Sequence, residues 1–235
     1  MEKIKTGVEG LDDMLLGGLI PARSYLVVGG PGAGKTIFCI QFLMQGIKEN
    51  KRCLYVALEE QADSLKVDMA ELGWDISRIK ILDTMQDISQ GLWTLKTPGS
   101  IQKPPFSLKS LVESLKVIVT QYKPERMVID SLTSVKMLYD SQQESRRELL
   151  GFINFLEKTG ATTLLTSEFT SGSETVMEEF LSSGVIKLHL LDKDGERINA
   201  ISIGKIRGST FDKHMRPLKI SENGIVVFPN ESVFG

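Results

Sequence analysis

The stretch Gly29-Gly30-Pro31-Gly32-Ala33-Gly34-Lys35-Thr36 constrains this chain more than any other. It satisfies the pattern G-x-x-x-x-G-K-[ST]. Four glycines within eight residues permit a tight turn whose backbone N–H groups converge on an anion. Lys35 then supplies a point charge for the β- and γ-phosphates of a nucleotide, and Thr36 a hydroxyl for Mg2+. The flanks agree with this reading. Tyr25-Leu26-Val27-Val28 reads as a buried strand leading in, and Ile37 to Leu43 as an apolar helix whose N-terminus faces the same anion. The candidate nucleotide-binding run is therefore Gly29, Gly30, Pro31, Gly32, Ala33, Gly34, Lys35, Thr36 and Ile37.

Composition sets the frame for that loop. The chain has 235 residues, 41% of them hydrophobic, which suffices for one well-buried core; residues 1–235 read as a single domain. A net charge of −2 demands no large basic surface for nucleic acid. Met1-Glu2-Lys3-Ile4-Lys5 lacks the apolar run of a signal peptide. No apolar stretch approaches the ~18 residues of a membrane span. The expectation is a cytoplasmic protein with no membrane association. Cys39 and Cys53 fall inside a predicted helix and strand and read as core residues, too few for a four-thiolate metal site.

Along the chain, apolar strands alternate with amphipathic helices. Strands are predicted at 53–58, 79–82, 126–130 and 161–167; helices at 62–72, 108–122 and 143–158. Residues 84–106 have no clean period, contain Pro98, Pro104 and Pro105, and read as a long functional loop. The last third changes character. Residues 185–191, 199–206 and 225–228 read as consecutive strands, with a turn around Asp192-Lys193-Asp194-Gly195. The fold class is α/β: a mostly parallel central sheet with helices on both faces, extended by antiparallel C-terminal strands.

In open α/β sheets, ligands bind at the carboxyl ends of the strands. That rule places three further features beside the glycine loop. Met127-Val128-Ile129-Asp130 ends in an acid suited to meeting Mg2+, with Thr36 as the other metal residue. Glu59-Glu60 end the neighbouring strand where an attacking water would lie; one could polarise it while the other orients or neutralises the site, and Glu60 is favoured as the base. Thr166-Ser167-Glu168 end a further core strand, placed to sense the γ-phosphate.

The order of these features resembles the RecA-superfamily ATPases, and specifically the KaiC-like branch, a group that also holds archaeal paralogues of the recombinase RadA. The similarity runs nearly end to end. It includes Thr6-Gly7-Val8-Glu9-Gly10-Leu11-Asp12 with Gly17-Gly18-Leu19, Leu72-Gly73-Trp74-Asp75, Arg146-Arg147-Glu148-Leu149, Glu178-Glu179-Phe180 and Lys205-Ile206-Arg207-Gly208. The resemblance implies a RecA-like fold, ATP as the nucleotide, hydrolysis to ADP with Mg2+, and a ring-shaped homo-oligomer. It also implies that Lys205 and Arg207, with Lys213 as a weaker third, reach the γ-phosphate of a neighbouring subunit as a trans finger. Glu178-Glu179-Phe180 match the half of KaiC that is not phosphorylated, which argues against autokinase chemistry.

Two biological readings follow from this resemblance. One is a RadA-paralogue-like ATPase that binds single-stranded DNA and modulates a recombinase. Its contacts would lie in loops at about 131–145 and 168–177, with Lys136, Tyr139, Arg146, Arg147 and Phe169. The long loop adds Trp93, Lys96, Lys103, Phe106 and Lys109. The other is a KaiC-like oligomeric switch that acts on a protein partner without DNA. The acidic pI of about 5.8 favours the switch slightly; the single-domain form and the basic-aromatic loop favour DNA, which is the preferred reading. His189 and His214 receive no role.

Overall fold

The computed structural model describes residues 2–84, 107–136, 139, 141–169, 177–193 and 195–233. One sheet carries the fold. Its parallel strands are β1 (Ser24–Gly29), β2 (Cys53–Ala57), β3 (Lys80–Asp83), β4 (Arg126–Asp130), β5 (Thr162–Ser167) and β6 (Gly184–Lys193). Antiparallel β7 (Glu196–Ile206), β8 (Arg216–Ser221) and β9 (Gly224–Val227) extend it, in the order β3-β2-β4-β5-β1-β6-β7-β8-β9. The α/β sheet with an antiparallel C-terminal extension is therefore as the sequence pattern predicts.

The helices are α1 (Leu11–Met14), α2 (Lys35–Lys48), α3 (Ala62–Glu71), α4 (Leu108–Tyr122), α5 (Leu132–Lys136), α6 (Gln142–Lys158) and α7 (Met177–Leu181). Strands β1, β2 and β5 are buried along their whole length, which is why β1 and β2 read as continuous apolar runs and not as alternating ones. Side chains alternate between two cores. Val27, Tyr55, Val128 and Leu164 pack on one face with Phe38 and Phe42 of α2 and Leu65 of α3. Leu26, Val56, Ile129 and Leu165 pack on the other with Leu111 of α4 and Phe152 of α6. Each such fully buried apolar side chain stabilises the fold by about 1.5–3 kcal/mol.

Two helices start on side-chain caps: Ser107 accepts from Ser110 N–H before α4, and Ser141 from Glu144 N–H before α6. Arg126 enters the core at 2% exposure. Its guanidinium meets Glu49 at 2.6 Å, donates to the Phe42 and Lys5 carbonyls at 2.8 Å each, and lies over the Phe42 ring. It thus ties β4 to α2 and to the segment before β1. Removing Glu49 would strand a buried charge, at a cost of about 3 kcal/mol or more.

Some expectations need correction. The stretch 131–145 is not simply a loop, because α5 occupies Leu132–Lys136 and α6 begins at Gln142. Strand β8 was not foreseen; Pro217 inside it lowers its strand signal, and only Ala200 and Ile201 of β7 pair with it. Residues 85–106, with Trp93, Lys96, Pro98, Lys103, Pro104, Pro105 and Phe106, lie outside the described residues, as do 170–176 and Asp194. Among the described residues, no helix is long and apolar enough to cross a membrane.

Candidate functional site

Register brings the candidate residues to one end of the sheet. Ala57 pairs with Asp130, Ile129 with Leu165, Val27 with Thr166 and Gly29 with Leu188. Glu59, Asp130, Ser131, Thr166, Glu168 and the loop after Gly29 therefore share the carboxyl ends of adjacent strands. The chain crosses from β1 over two neighbours to β2, which opens the crevice there.

The loop between β1 and α2 is a cradle. Gly32 and Gly34 have φ of +75° and +92°, a region that residues with a Cβ rarely enter. A Cβ on Gly34 would also meet Ile220 Cδ1 at 2.7 Å, so glycine is required there twice over. A Cβ on Gly30 or Gly32 would meet nothing within 4 Å, so the concave side is open. Gly34 caps α2 without a side chain, leaving the first N–H groups of that helix to an anion. Lys35 is only 12% exposed and folds back onto the loop, donating to the Gly29 and Gly30 carbonyls at 2.8 and 3.0 Å. Glu168 stands 3.9 Å from its ammonium. Ile37 packs partly buried against the core. Open N–H groups and a cation bonded to neutral carbonyls fit a polyphosphate.

Asp130 is the hub of the site. Thr36 donates to its Oδ2 at 2.9 Å, Tyr55 to the same oxygen at 2.6 Å, and Thr166 to Oδ1 at 2.5 Å. Each bond to a charged acceptor contributes on the order of 1.5–3 kcal/mol net. Burial, then the neighbouring Asp130 charge, holds the Tyr55 phenol well above its usual range, so it stays a donor. A hydroxyl and a carboxylate in contact beside the glycine cradle are the hard oxygen donors that fit Mg2+, which takes few protein ligands and completes its shell with phosphate and water.

The two glutamates have different partners. Glu59 is exposed and accepts from Ser131 Oγ at 2.6 Å; Ser131 in turn accepts from Thr133 N–H. Glu60 is half-buried. Burial, then the charge and hydrogen bond of Asp68, then Asp130 push its carboxyl above the ordinary range. Of the residues at 166–168, Thr166 faces Asp130 and Glu168 faces Lys35, whereas Ser167 Oγ is buried with no hydrogen-bond partner among the described residues. Sequence reasoning missed Tyr55, Asp68 and the bond made by Ser131. Strand alternation could place Tyr55 on the α2 face, but only the β2–β4 register aims it at Asp130.

Lys205 and Arg207 lie at the opposite end of the sheet. Ile206 is level with Gly184 and Tyr25, so Arg207 lies level with Ser24 at the amino end of β1, about 16 Å of strand from Gly29. A bulge at Val185/Ile186 skips Gly204, and Arg207 follows the last residue of β7. Both cations still meet on one acceptor. Lys205 Nζ donates to the Glu179 and Phe180 carbonyls, and Arg207 to the Phe180 carbonyl at 2.7 Å. Burial, then Arg207, lowers the Lys205 pKa, with Glu179 opposing. Lys213 is exposed in the loop whose Asp212 N–H bonds the Met14 carbonyl.

Comparison with known proteins matches nearly the whole chain. A family model described as "ATPase: KaiC" matches residues 4–232. A circadian clock oscillator protein KaiC from Prochlorococcus marinus is 32% identical over 97% of this chain and 45% of its own length. A UPF0273 protein from Aeropyrum pernix is 29% identical over 99% of this chain and 96% of its own length. The crystal structure of a KaiC-like protein from the archaeon Pyrococcus horikoshii superposes with a TM-score of 0.80 at 30% identity, covering 97% of this chain and 99% of that one. The chain spans about half the length of the clock relatives it matches.

Proposed function

The chain belongs to the KaiC ATPase family, and from that premise we propose that it hydrolyses ATP to ADP with Mg2+ in a homo-oligomer. The observation that carries this reading is the Thr36–Asp130 contact beside an open glycine cradle. Gly29 to Ile37 would hold the phosphates and Lys35 would pair with the β- and γ-oxygens; Thr36 and Asp130 are the residues that would hold Mg2+, whose positive charge would offset that of the phosphates. Glu60 accepts the proton of the attacking water; its raised pKa makes it the stronger base of the pair. Glu59, fixed by Ser131, orients the site. Lys205 and Arg207 act on the next subunit. Their place at the far end of the sheet keeps them from their own loop, and the carbonyls that hold them now are weaker acceptors than a phosphate.

The oligomer then works as an ATP-driven switch on a protein partner. In support of that choice over DNA, Tyr139 is half-buried and its hydroxyl accepts from Leu108 N–H, which removes it from a base-stacking role. Exposed Phe169, Arg146 and Arg147 are what favour single-stranded DNA and a recombinase. Single-strand binding that strengthens as salt falls would move the reading there. The trans arrangement is tested by mixing. Lys35→Ala and Arg207→Ala, each inactive alone, should recover turnover when combined, and wild-type turnover per subunit should rise with protein concentration. A concentration-independent rate without rescue would leave a monomeric ATPase.

A further inference from the structure

We infer that Tyr55 is a positioning residue that decides which oxygen of Asp130 is left open to a divalent cation. The inference rests on the Mg2+–nucleotide site proposed above. The Tyr55 side chain is 1% exposed and lies in the apolar cluster that holds Cys39, Ala57, Val128 and Leu164. Packing there asks only for an apolar body of that size, so the hydroxyl needs a separate reason, and a buried phenol O–H needs a partner. Its partner is Asp130 Oδ2, at 2.6 Å.

The carboxylate's capacity makes that bond consequential. Two oxygens offer about four acceptor positions. Thr36 and Tyr55 fill both on Oδ2, and Thr166 fills one on Oδ1. Among the described residues, one position on Oδ1 stays open. The three donors come from α2, β2 and β5, so the carboxylate is held from three sides against rotation about its soft terminal torsion. Thr36 is also a candidate metal residue. Tyr55 is the donor that secures Oδ2 without itself being available to the cation. Without its hydroxyl a second position opens on Oδ2, and the carboxylate can turn and pair with water.

The test is Tyr55→Phe, with Tyr55→Met as a second variant that also fills the space without a hydroxyl. Binding of fluorescently labelled ADP is measured with divalent ions chelated and then across a Mg2+ titration. Affinity without Mg2+ should match wild type, while the Mg2+ concentration for half-maximal effect should rise roughly 10-fold, as when a hydrogen-bond partner of a metal residue is removed. Tyr25→Phe is the control. It loses another buried phenol, bonded to the Ile20 backbone, and should leave the Mg2+ half-point unchanged. A wild-type half-point in either folded Tyr55 variant overturns the inference. Wild-type protein whose ADP binding ignores Mg2+ would instead overturn the underlying site.

Discussion

At the carboxyl ends of β1, β2, β4 and β5, three hydroxyls crowd onto one carboxylate and an ammonium lies folded onto its own loop. At the amino end of the same sheet, Lys205 and Arg207 point at the last carbonyls of a five-residue helix. The first end gathers the proposed binding groups from within one chain. The second gathers positive charge whose hydrogen-bond acceptors, among the described residues, are backbone carbonyls, with the Glu179 carboxylate nearby. The difference teaches that a site can be complete in its binding parts yet lack a cation for the transition state. In the proposed oligomer, the second end of one copy supplies that cation to the first end of another.

The largest effect should come from the carboxyl end. Lys35→Ala removes the ammonium proposed to meet the phosphates, and should bring nucleotide binding and hydrolysis to background in equilibrium binding and phosphate-release assays. Normal turnover would break the assignment of that end. At the amino end the outcome should split. Arg207→Ala should lower turnover by about 10³-fold, the scale of a lost arginine finger, with Lys205→Ala a smaller loss, while ATP affinity stays near wild type. If affinity falls along with turnover, the two ends do not divide binding from catalysis as argued.

The smallest effect sharpens the carboxyl end itself. Glu60→Gln should slow turnover about 10²-fold with ATP still bound. The base works only when ionised, so the wild-type rate should fall as pH drops through the raised Glu60 pKa. Asp68 is one cause of that rise, through its charge and hydrogen bond. In Asp68→Asn the Glu60 pKa falls, so the acid limb of the pH–rate profile should move to lower pH. An unmoved limb would point to Glu59, whose partner is Ser131.

Much of the fold was legible because its signals are local. The apolar runs of β1, β2 and β4 announce strands covered on both faces, and the spacing of Leu108, Leu111 and Leu115 announces α4. Two short helices were not legible, although the four-residue strands β3 and β9 were. Helices α5 and α7 have five residues each, too few to show a period. Strand β8 hides behind Pro217.

Sequence alone determined the glycine cradle, Lys35 and Thr36, since left-handed glycines and a following helix are demands made by consecutive residues on one another. It also determined that Asp130 and Glu59-Glu60 would end strands, because apolar runs stop where charge must reach water. Only the tertiary structure decided which partners those acids meet. Tyr55 reaches Asp130 across 75 residues of chain and Thr166 across 36, and both depend on a register in which a shift of one residue turns every side chain to the other face. The same register places Arg207 at the amino end of the strand whose carboxyl end feeds the cradle, a separation no linear spacing expresses.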